Sequence, residues 1–125
     1  MNLNQITIAS KGTKESVAFY KTLGLRLIVD ALPRYARLEC PDGGSTFSIH
    51  ESEGPIENNS MTLYFENDDL DEVVTSLKQK GLNFTSDPED KPWLWREAHL
   101  RDPDGHQIIL FHAGENRKNP PWRID

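Results

Sequence analysis

Trp93-Leu94-Trp95-Arg96-Glu97-Ala98-His99-Leu100-Arg101, a turn at Asp102-Pro103-Asp104-Gly105, and His106-Gln107-Ile108-Ile109-Leu110-Phe111-His112 read as one β-hairpin. At period two the first strand puts Leu94, Ala98 and Leu100 on one face and Trp93, Trp95, Glu97 and His99 on the other. The return strand repeats the division, with Ile108 and Leu110 on one side and Gln107, Ile109 and Phe111 on the other. An aliphatic face asks for a packed helix, whereas two tryptophans beside Glu and His predict the wall of a wet pocket.

Outward from the hairpin, the pattern occurs twice. In the first half, strand 4–9 carries Ile6 and Ile8 on one face, and helix 13–23 follows, with Ser10 or Thr13 as its cap and Gly24 as its stop. Strands 25–29, 35–40 and 45–51 complete that half. In the second, strand 61–66 leads to a helix that Asp68 or Asp69 caps and Gly81 ends. That helix carries Leu70, Val73, Val74 and Leu77 at the i, i+3, i+4, i+7 spacing of one buried stripe. Strand 82–85 and the hairpin finish the set. Gln5 to Gly24 spans 19 positions, as does Thr62 to Gly81, and Pro41-Asp42-Gly43 answers Pro103-Asp104-Gly105. A shared period of this kind marks an internal repeat.

The expected architecture is therefore α+β: two tandem βαβββ modules sharing one core across residues 1–125. Module one covers about 1–52, the linker 53–60, module two 61–113 and a C-terminal arm 114–125. At 125 residues with a formal charge of -6, the chain lacks the basic footprint of a nucleic-acid binder. No apolar run approaches the roughly 20 residues of a membrane span, and the N-terminus does not read as a signal peptide, so the expected location is the cytoplasm. Cys40 stands alone and reads as a buried thiol. His106 and His112 read as surface residues.

Ser16-Val17-Ala18-Phe19-Tyr20 with Leu23-Gly24-Leu25, Asp69-Leu70 through Leu77 to Gly81, and Asp102-Pro103-Asp104-Gly105-His106 carry a resemblance to the vicinal oxygen chelate superfamily, also called the glyoxalase/bleomycin resistance/dioxygenase group. The resemblance spans about residues 4–112 and implies a glyoxalase-like domain with a cup shared by the two modules. It further implies a small-molecule ligand, and a homodimer, since such cups are often completed by a second chain. The fold hosts lyases, isomerases, dioxygenases, thiol transferases and metal-free binding proteins, so it does not specify a reaction.

In such families each module offers two metal-ligand slots, here Gln5 and Ser48 in the first half and Thr62 and Ile109 in the second. One amide, two hydroxyls and an isoleucine do not make a divalent-metal site. The reading is accordingly no metal and no cofactor. Strand alternation carried into the cup presents Gln5, Thr7, Tyr35, Arg37, Ser48, His50, Thr62, Tyr64, Trp95, Glu97, His99, Ile109 and Phe111.

Within that set Glu97 and His99 form the candidate catalytic pair, two apart on one strand face with Cβ atoms about 7 Å apart. Gln5, Arg37, Ser48, His50, Thr62, Tyr64, Trp95, Ile109 and Phe111 are the candidate substrate contacts. Arg37 suits a carboxylate or phosphate, and Tyr35, Trp93, Trp95 and Phe111 suit a flat ligand or a dimer interface. Structural alternatives stand beside these: Glu97 and Arg37 as an ion pair with each other or with Arg96 and Arg101, and His50 as an exposed strand-end residue. The leading function is a glyoxalase-like enzyme using His99 and Glu97 without the usual metal. The alternatives are a non-catalytic antibiotic- or toxin-binding protein, and a metal-dependent lyase or dioxygenase with ligands relocated to His50, Glu97 and His99. Arg117 and Trp122 suggest that the C-terminal arm folds back onto the protein or a partner chain.

Overall fold

Both halves adopt the same element order in the computed structural model, which describes residues 1–57 and 61–124. Strand β1 (Gln5–Ser10), helix α1 (Thr13–Leu23) and strands β2 (Arg26–Ala31), β3 (Tyr35–Glu39) and β4 (Thr46–Glu51) form the first set. Strand β5 (Thr62–Glu66), helix α2 (Leu70–Gln79) and strands β6 (Phe84–Asp90), β7 (Arg96–Arg101) and β8 (Gln107–His112) form the second, followed by a 3₁₀ turn at Gly114–Arg117. The sheet orders are β1-β4-β3-β2 and β5-β8-β7-β6, each with one parallel pair at the β1 or β5 edge and antiparallel pairs elsewhere. The chain is thus α+β, built from tandem βαβββ modules. It divides into two compact units: Met1–Asn58 with Asp102–Gly105, and Asn59–Arg101 with His106–Asp125. Of the expected linker 53–60, residues 58–60 lie outside the described residues.

In unit one, Val17 and Tyr20 of α1 are buried, as are Ala36, Leu38, Phe47 and Ile49 of β3 and β4. The Tyr20 ring lies 4.4 Å from that of Phe47. Gly24 ends α1 at φ 113, a left-handed conformation that glycine adopts without a Cβ clash. The expected side-chain cap is absent. Gly12 occupies the cap position, Ser10 Oγ accepts from Gly12 N at 3.1 Å, and Thr13 Oγ1 donates to the Pro33 carbonyl at 2.8 Å. Ser10 lies too early, as the last residue of β1, and Thr13 already lies inside the helix. Tyr20 Oη donates to Asp102 Oδ2 at 2.6 Å, and Asp104 receives the Lys11 backbone N–H at 2.9 Å. Burial, then the Asp102 charge, pushes the Tyr20 phenol far above the usual tyrosine range.

In unit two, Leu70, Val74 and Leu77 are the fully buried part of the α2 stripe, and Val73 is half-buried. Asp69 sits at the cap position without a side-chain cap bond. Asn67 Oδ1 instead accepts the Asp69 N–H at 2.8 Å, so the turn before the helix takes up that donor. Strand β8 is central in its sheet, and Ile108, Ile109, Leu110 and Phe111 are all buried. Both of its faces are therefore covered, which an unbroken apolar run reports better than alternation does.

Several local expectations are corrected. The first hairpin strand begins at Arg96, not Trp93. Pro92 follows Lys91 in a turn closed by Leu94 N to Lys91 O at 3.0 Å, a position where the fixed φ of proline favours reversal. Leu94 consequently sits at φ 67, is 48% exposed and leaves the aliphatic face. Strand β6 runs on to Asp90 instead of ending at 85. It is an edge strand with two register shifts, and there Pro88 deprives no ladder of a needed donor. His106 is buried at the hairpin turn, not a surface residue. Cys40 is only half-buried, and burial followed by the Asp42 charge pushes its thiol up. Among the described residues no helix is long and apolar enough to cross a membrane.

Candidate functional site

The face of the unit-two sheet turned away from α2 carries Thr62, Tyr64 and Glu66 from β5, Glu97 and His99 from β7, and Gln107, Ile109 and Phe111 from β8. Strand register sets Glu97 opposite Phe111, and His99 and Tyr64 both opposite Ile109. Glu97 is 3% exposed. Its Oε1 lies 2.9 Å from His99 Nε2, and its Oε2 accepts the indole N–H of Trp93 at 2.7 Å. Within this unit neither Arg96 nor Arg101 takes the place of these two partners. Arg96 instead pairs with Asp71 at 2.8 Å and Asp90 at 3.0 Å, and the Arg96–Asp71 contact holds the Asp71 carboxyl below the usual carboxylate range.

This geometry favours one tautomer of the neutral imidazole. Trp93 can only donate, so Glu97 Oε2 accepts, and a carboxylate whose other oxygen faces Nε2 accepts there as well. In the neutral imidazole this puts the proton on Nε2 and the lone pair on Nδ1. The His99 side chain is 29% exposed, so that nitrogen belongs to a residue solvent can reach. A half-exposed imidazole whose far nitrogen is held by a buried carboxylate is an arrangement suited to general base catalysis. The Lys91-Pro92-Trp93-Leu94 turn places the Trp93 indole, since Trp93 precedes β7 and returns to it through its side chain.

The other end of the same face is aromatic and apolar. Trp95 and Phe111 stack with centroids 4.6 Å apart, and Tyr64 meets both edge-on. Ile109, Phe111 and Ala113 form a small cluster with Trp95 packed on it. The C-terminal arm closes over this end. Trp95 Nε1 donates to the Asn116 carbonyl at 3.3 Å, and Glu66 accepts from the backbone N–H groups of Ala113 and Gly114 at 2.8 and 3.0 Å. Arg117 Nε lies 3.7 Å from Glu66. The arm thus docks through its first residues, whereas Trp122 is exposed. Of the sequence candidates on this face, Thr62 and Tyr64 are exposed and Trp95 is half-buried. Ile109 and Phe111 are buried as its floor.

On unit one the corresponding face carries Gln5, Thr7, Tyr35, Arg37, Ser48 and His50. Ser48 is fully buried, and its Oγ meets Gln5 Nε2 at 2.8 Å and Tyr35 Oη at 2.6 Å. Arg37 Nε donates to Tyr35 Oη at 2.9 Å. His50 is exposed, with Nδ1 3.2 Å from the Glu51 carbonyl.

The four positions marked as metal slots by the family resemblance do not fit a divalent ion. The Gln5 amide oxygen already accepts from Thr46 Oγ1, Ser48 Oγ is enclosed, Thr62 offers one hydroxyl, and Ile109 has no donor atom. Among the described residues no three His, Cys, Asp or Glu side chains converge in a way that could hold a metal ion.

Alternation alone placed Trp93 on this face but did not mark it as the donor that Glu97 requires. Glu66 was missed, although it continues the series Thr62, Tyr64 at period two. Asn116 gave no signal, because it acts through its backbone carbonyl.

A family model described as Glyoxalase/Bleomycin resistance protein/Dioxygenase superfamily matches residues 2–110. The protein YraH of Bacillus subtilis (strain 168) is 29% identical over 126 residues, covering 89% of this chain and 98% of that protein. Among solved structures, a glyoxalase/bleomycin resistance protein/dioxygenase from Nocardioides superposes with a TM-score of 0.80 at 20% identity, over 100% of this chain and 90% of that one. A lactoylglutathione lyase from Agrobacterium tumefaciens superposes with a TM-score of 0.73 at 16% identity, over 89% of this chain and 92% of that one. At these identities the two structures speak for the fold alone.

Proposed function

The chain belongs to the Glyoxalase/Bleomycin resistance protein/Dioxygenase superfamily, and within it we propose a small-molecule enzyme in which His99, oriented by Glu97, moves a proton. One observation carries this reading: Glu97 is buried between the Trp93 indole and His99 Nε2, so the open nitrogen of the imidazole is Nδ1. In the proposed step Nδ1 removes a proton from carbon beside a substrate carbonyl. The C–H electrons form an enediolate, the imidazolium is stabilised by the Glu97 carboxylate, and it returns its proton to the former carbonyl carbon as the hydroxyl proton passes to the charged oxygen, as in an isomerase. The poor fit of Gln5, Ser48, Thr62 and Ile109 to a divalent ion favours chemistry carried by these side chains. The exposed Tyr64 and Trp93 rings favour a second copy of the chain as partner, and sedimentation velocity over a dilution series tests that dimer.

The test of the proton-transfer step is solvent deuterium incorporation into a panel of small α-hydroxycarbonyl compounds, followed by NMR with chelator present. The expected result is incorporation by the wild type and a loss of about 10²- to 10⁴-fold in both His99→Gln and Glu97→Gln. Incorporation that is equal in wild type and His99→Gln, or absent from the whole panel, overturns the reading. A second reading is a non-catalytic binding protein, favoured by the Trp95–Phe111 stack with Tyr64 at its edge. It gains if a panel compound binds wild type and His99→Gln alike with no deuterium exchange.

A further inference from the structure

On unit one the hydrogen-bond directions can be worked out one proton at a time. Thr46 Oγ1 donates to Gln5 Oε1, which turns the Gln5 amide N–H₂ towards Ser48, and Ser48 Oγ accepts from it at 2.8 Å. Ser48 is fully buried, so its own proton needs a protein acceptor. Among the described residues the acceptor in reach is Tyr35 Oη, 2.6 Å away. Tyr35 Oη also accepts the Arg37 Nε–H at 2.9 Å. With the Gln5 amide in this orientation two donors point in at Tyr35 Oη, so its phenol proton points out, and Tyr35 is half-exposed on the sheet face. The reverse direction would strand the Ser48 proton in the interior.

Arg37 reinforces this arrangement. Its guanidinium sits 5.6 Å from the centre of the Tyr35 ring and spends Nε on the phenol. Among the described residues no carboxylate pairs with it, and its two terminal nitrogens make no hydrogen bond. Across the register, Tyr35 faces Ala31 of β2 and His50 of β4, and Arg37 faces Val29 and Ser48, so no acidic side chain opposes either group. The result is an outward O–H and a free two-pronged cation side by side, on a chain whose net charge is negative.

We propose that Tyr35 and Arg37 form an oxyanion-binding site on the exposed sheet face of unit one, taking the carboxylate or phosphate group of a small molecule. The Arg37 terminal nitrogens grip two oxygens, and the Tyr35 hydroxyl donates to one of them. Gln5 and Ser48 are positioning residues, since they act on the anion only through the direction they impose on Tyr35. The hydrogen bond with Ser48, opposed by burial and then aided by Arg37, holds the Tyr35 phenol below the usual tyrosine range, which makes it a stronger donor. This site stands independently of the Glu97–His99 reading, and its test uses neither of those residues.

The experiment titrates full-length protein, carrying tyrosine labelled with ¹³C at the ring ζ position, with inorganic phosphate and separately with benzoate. The Tyr35 resonance is assigned by its loss in Tyr35→Phe. A saturable shift of that resonance is expected with at least one anion, and whichever anion produces it identifies the source as phosphate or carboxylate. In Arg37→Gln the apparent dissociation constant should rise at least about tenfold, as for loss of a hydrogen bond to a charged group. Ser48→Ala should move the Tyr35 titration back up towards the ordinary tyrosine value of about 10. No saturable shift with either anion, or an undiminished one in Arg37→Gln, overturns the site. An unchanged Tyr35 titration in a folded Ser48→Ala overturns the assigned proton direction.

Discussion

Two sheets of the same topology solve the same problem differently. Each has one face under a helix and one face left for other purposes, and the second faces share almost no chemistry. Unit one covers its face with a hydrogen-bond network in which Gln5, Ser48, Tyr35 and Arg37 are linked in series. Unit two builds a second small apolar cluster from Ile109, Phe111, Ala113 and Trp95, caps it with Tyr64 and the arm, and sets the hydrogen-bonded pair of Glu97 and His99 beside it. The difference shows that the repeat conserves what holds helix to sheet, and that the opposite face is free to diverge into separate functions.

The largest expected effect breaks the apolar side of that comparison. Trp95→Ala removes the ring stacked on Phe111 and the donor to the Asn116 carbonyl, and should cost about 3 kcal/mol in urea denaturation. Amide exchange at Ala113 and Gly114 should accelerate in the same variant, because their hydrogen bonds to Glu66 depend on the docked arm. Trp122→Ala, by contrast, should stay within about 0.5 kcal/mol of wild type, since that ring is exposed. Equal losses at the two tryptophans would contradict the placement of the arm.

A middle-sized effect tests unit one. Tyr20→Phe deletes a buried hydrogen bond to the Asp102 carboxylate and should cost about 1–3 kcal/mol. The Tyr20 phenol is raised in the folded state, mainly by burial and then by Asp102. Its contribution to stability is therefore fully present below the unfolded tyrosine value of about 10 and declines as pH rises above it. Thermal stability should fall on the alkaline side of that value, and less steeply in Tyr20→Phe. A wild-type alkaline limb identical to the variant's would remove Tyr20 as its source.

The smallest effect sharpens the picture of the dyad. Leu94 sits at φ 67, which costs a branched L-residue about 1 kcal/mol, and has 48% of its surface exposed. Leu94→Gly should leave stability level or raise it by up to about 1 kcal/mol, with the Trp93 indole N–H resonance still shifted by Glu97. Loss of that shift would mean that the leucine itself, and not the backbone turn, places the indole.

Much of this was legible beforehand where periodicity was strong. The α2 stripe, the split of β8 into Ile108 and Leu110 against Ile109 and Phe111, and the glycine stop of α1 follow from spacing alone. The hairpin entry is not legible in this way, because alternation continues through Trp93 and Leu94 in sequence while Pro92 reverses the backbone there. The arm reads as a polar, proline-rich tail, and its docking rests on backbone groups that no side-chain pattern announces.

The sequence by itself determined the repeat, the α+β class and the sides of each strand, because burial under a helix imposes a regular period on side chains that any reader can count. Only the tertiary structure decided which polar side chains meet. Glu97 finds His99 and Trp93 instead of an arginine, and Ser48 vanishes beneath Tyr35, because hydrogen-bond partners are chosen by distances of a few ångströms across strands and turns. A linear period fixes which face a residue takes, but not what stands beside it there.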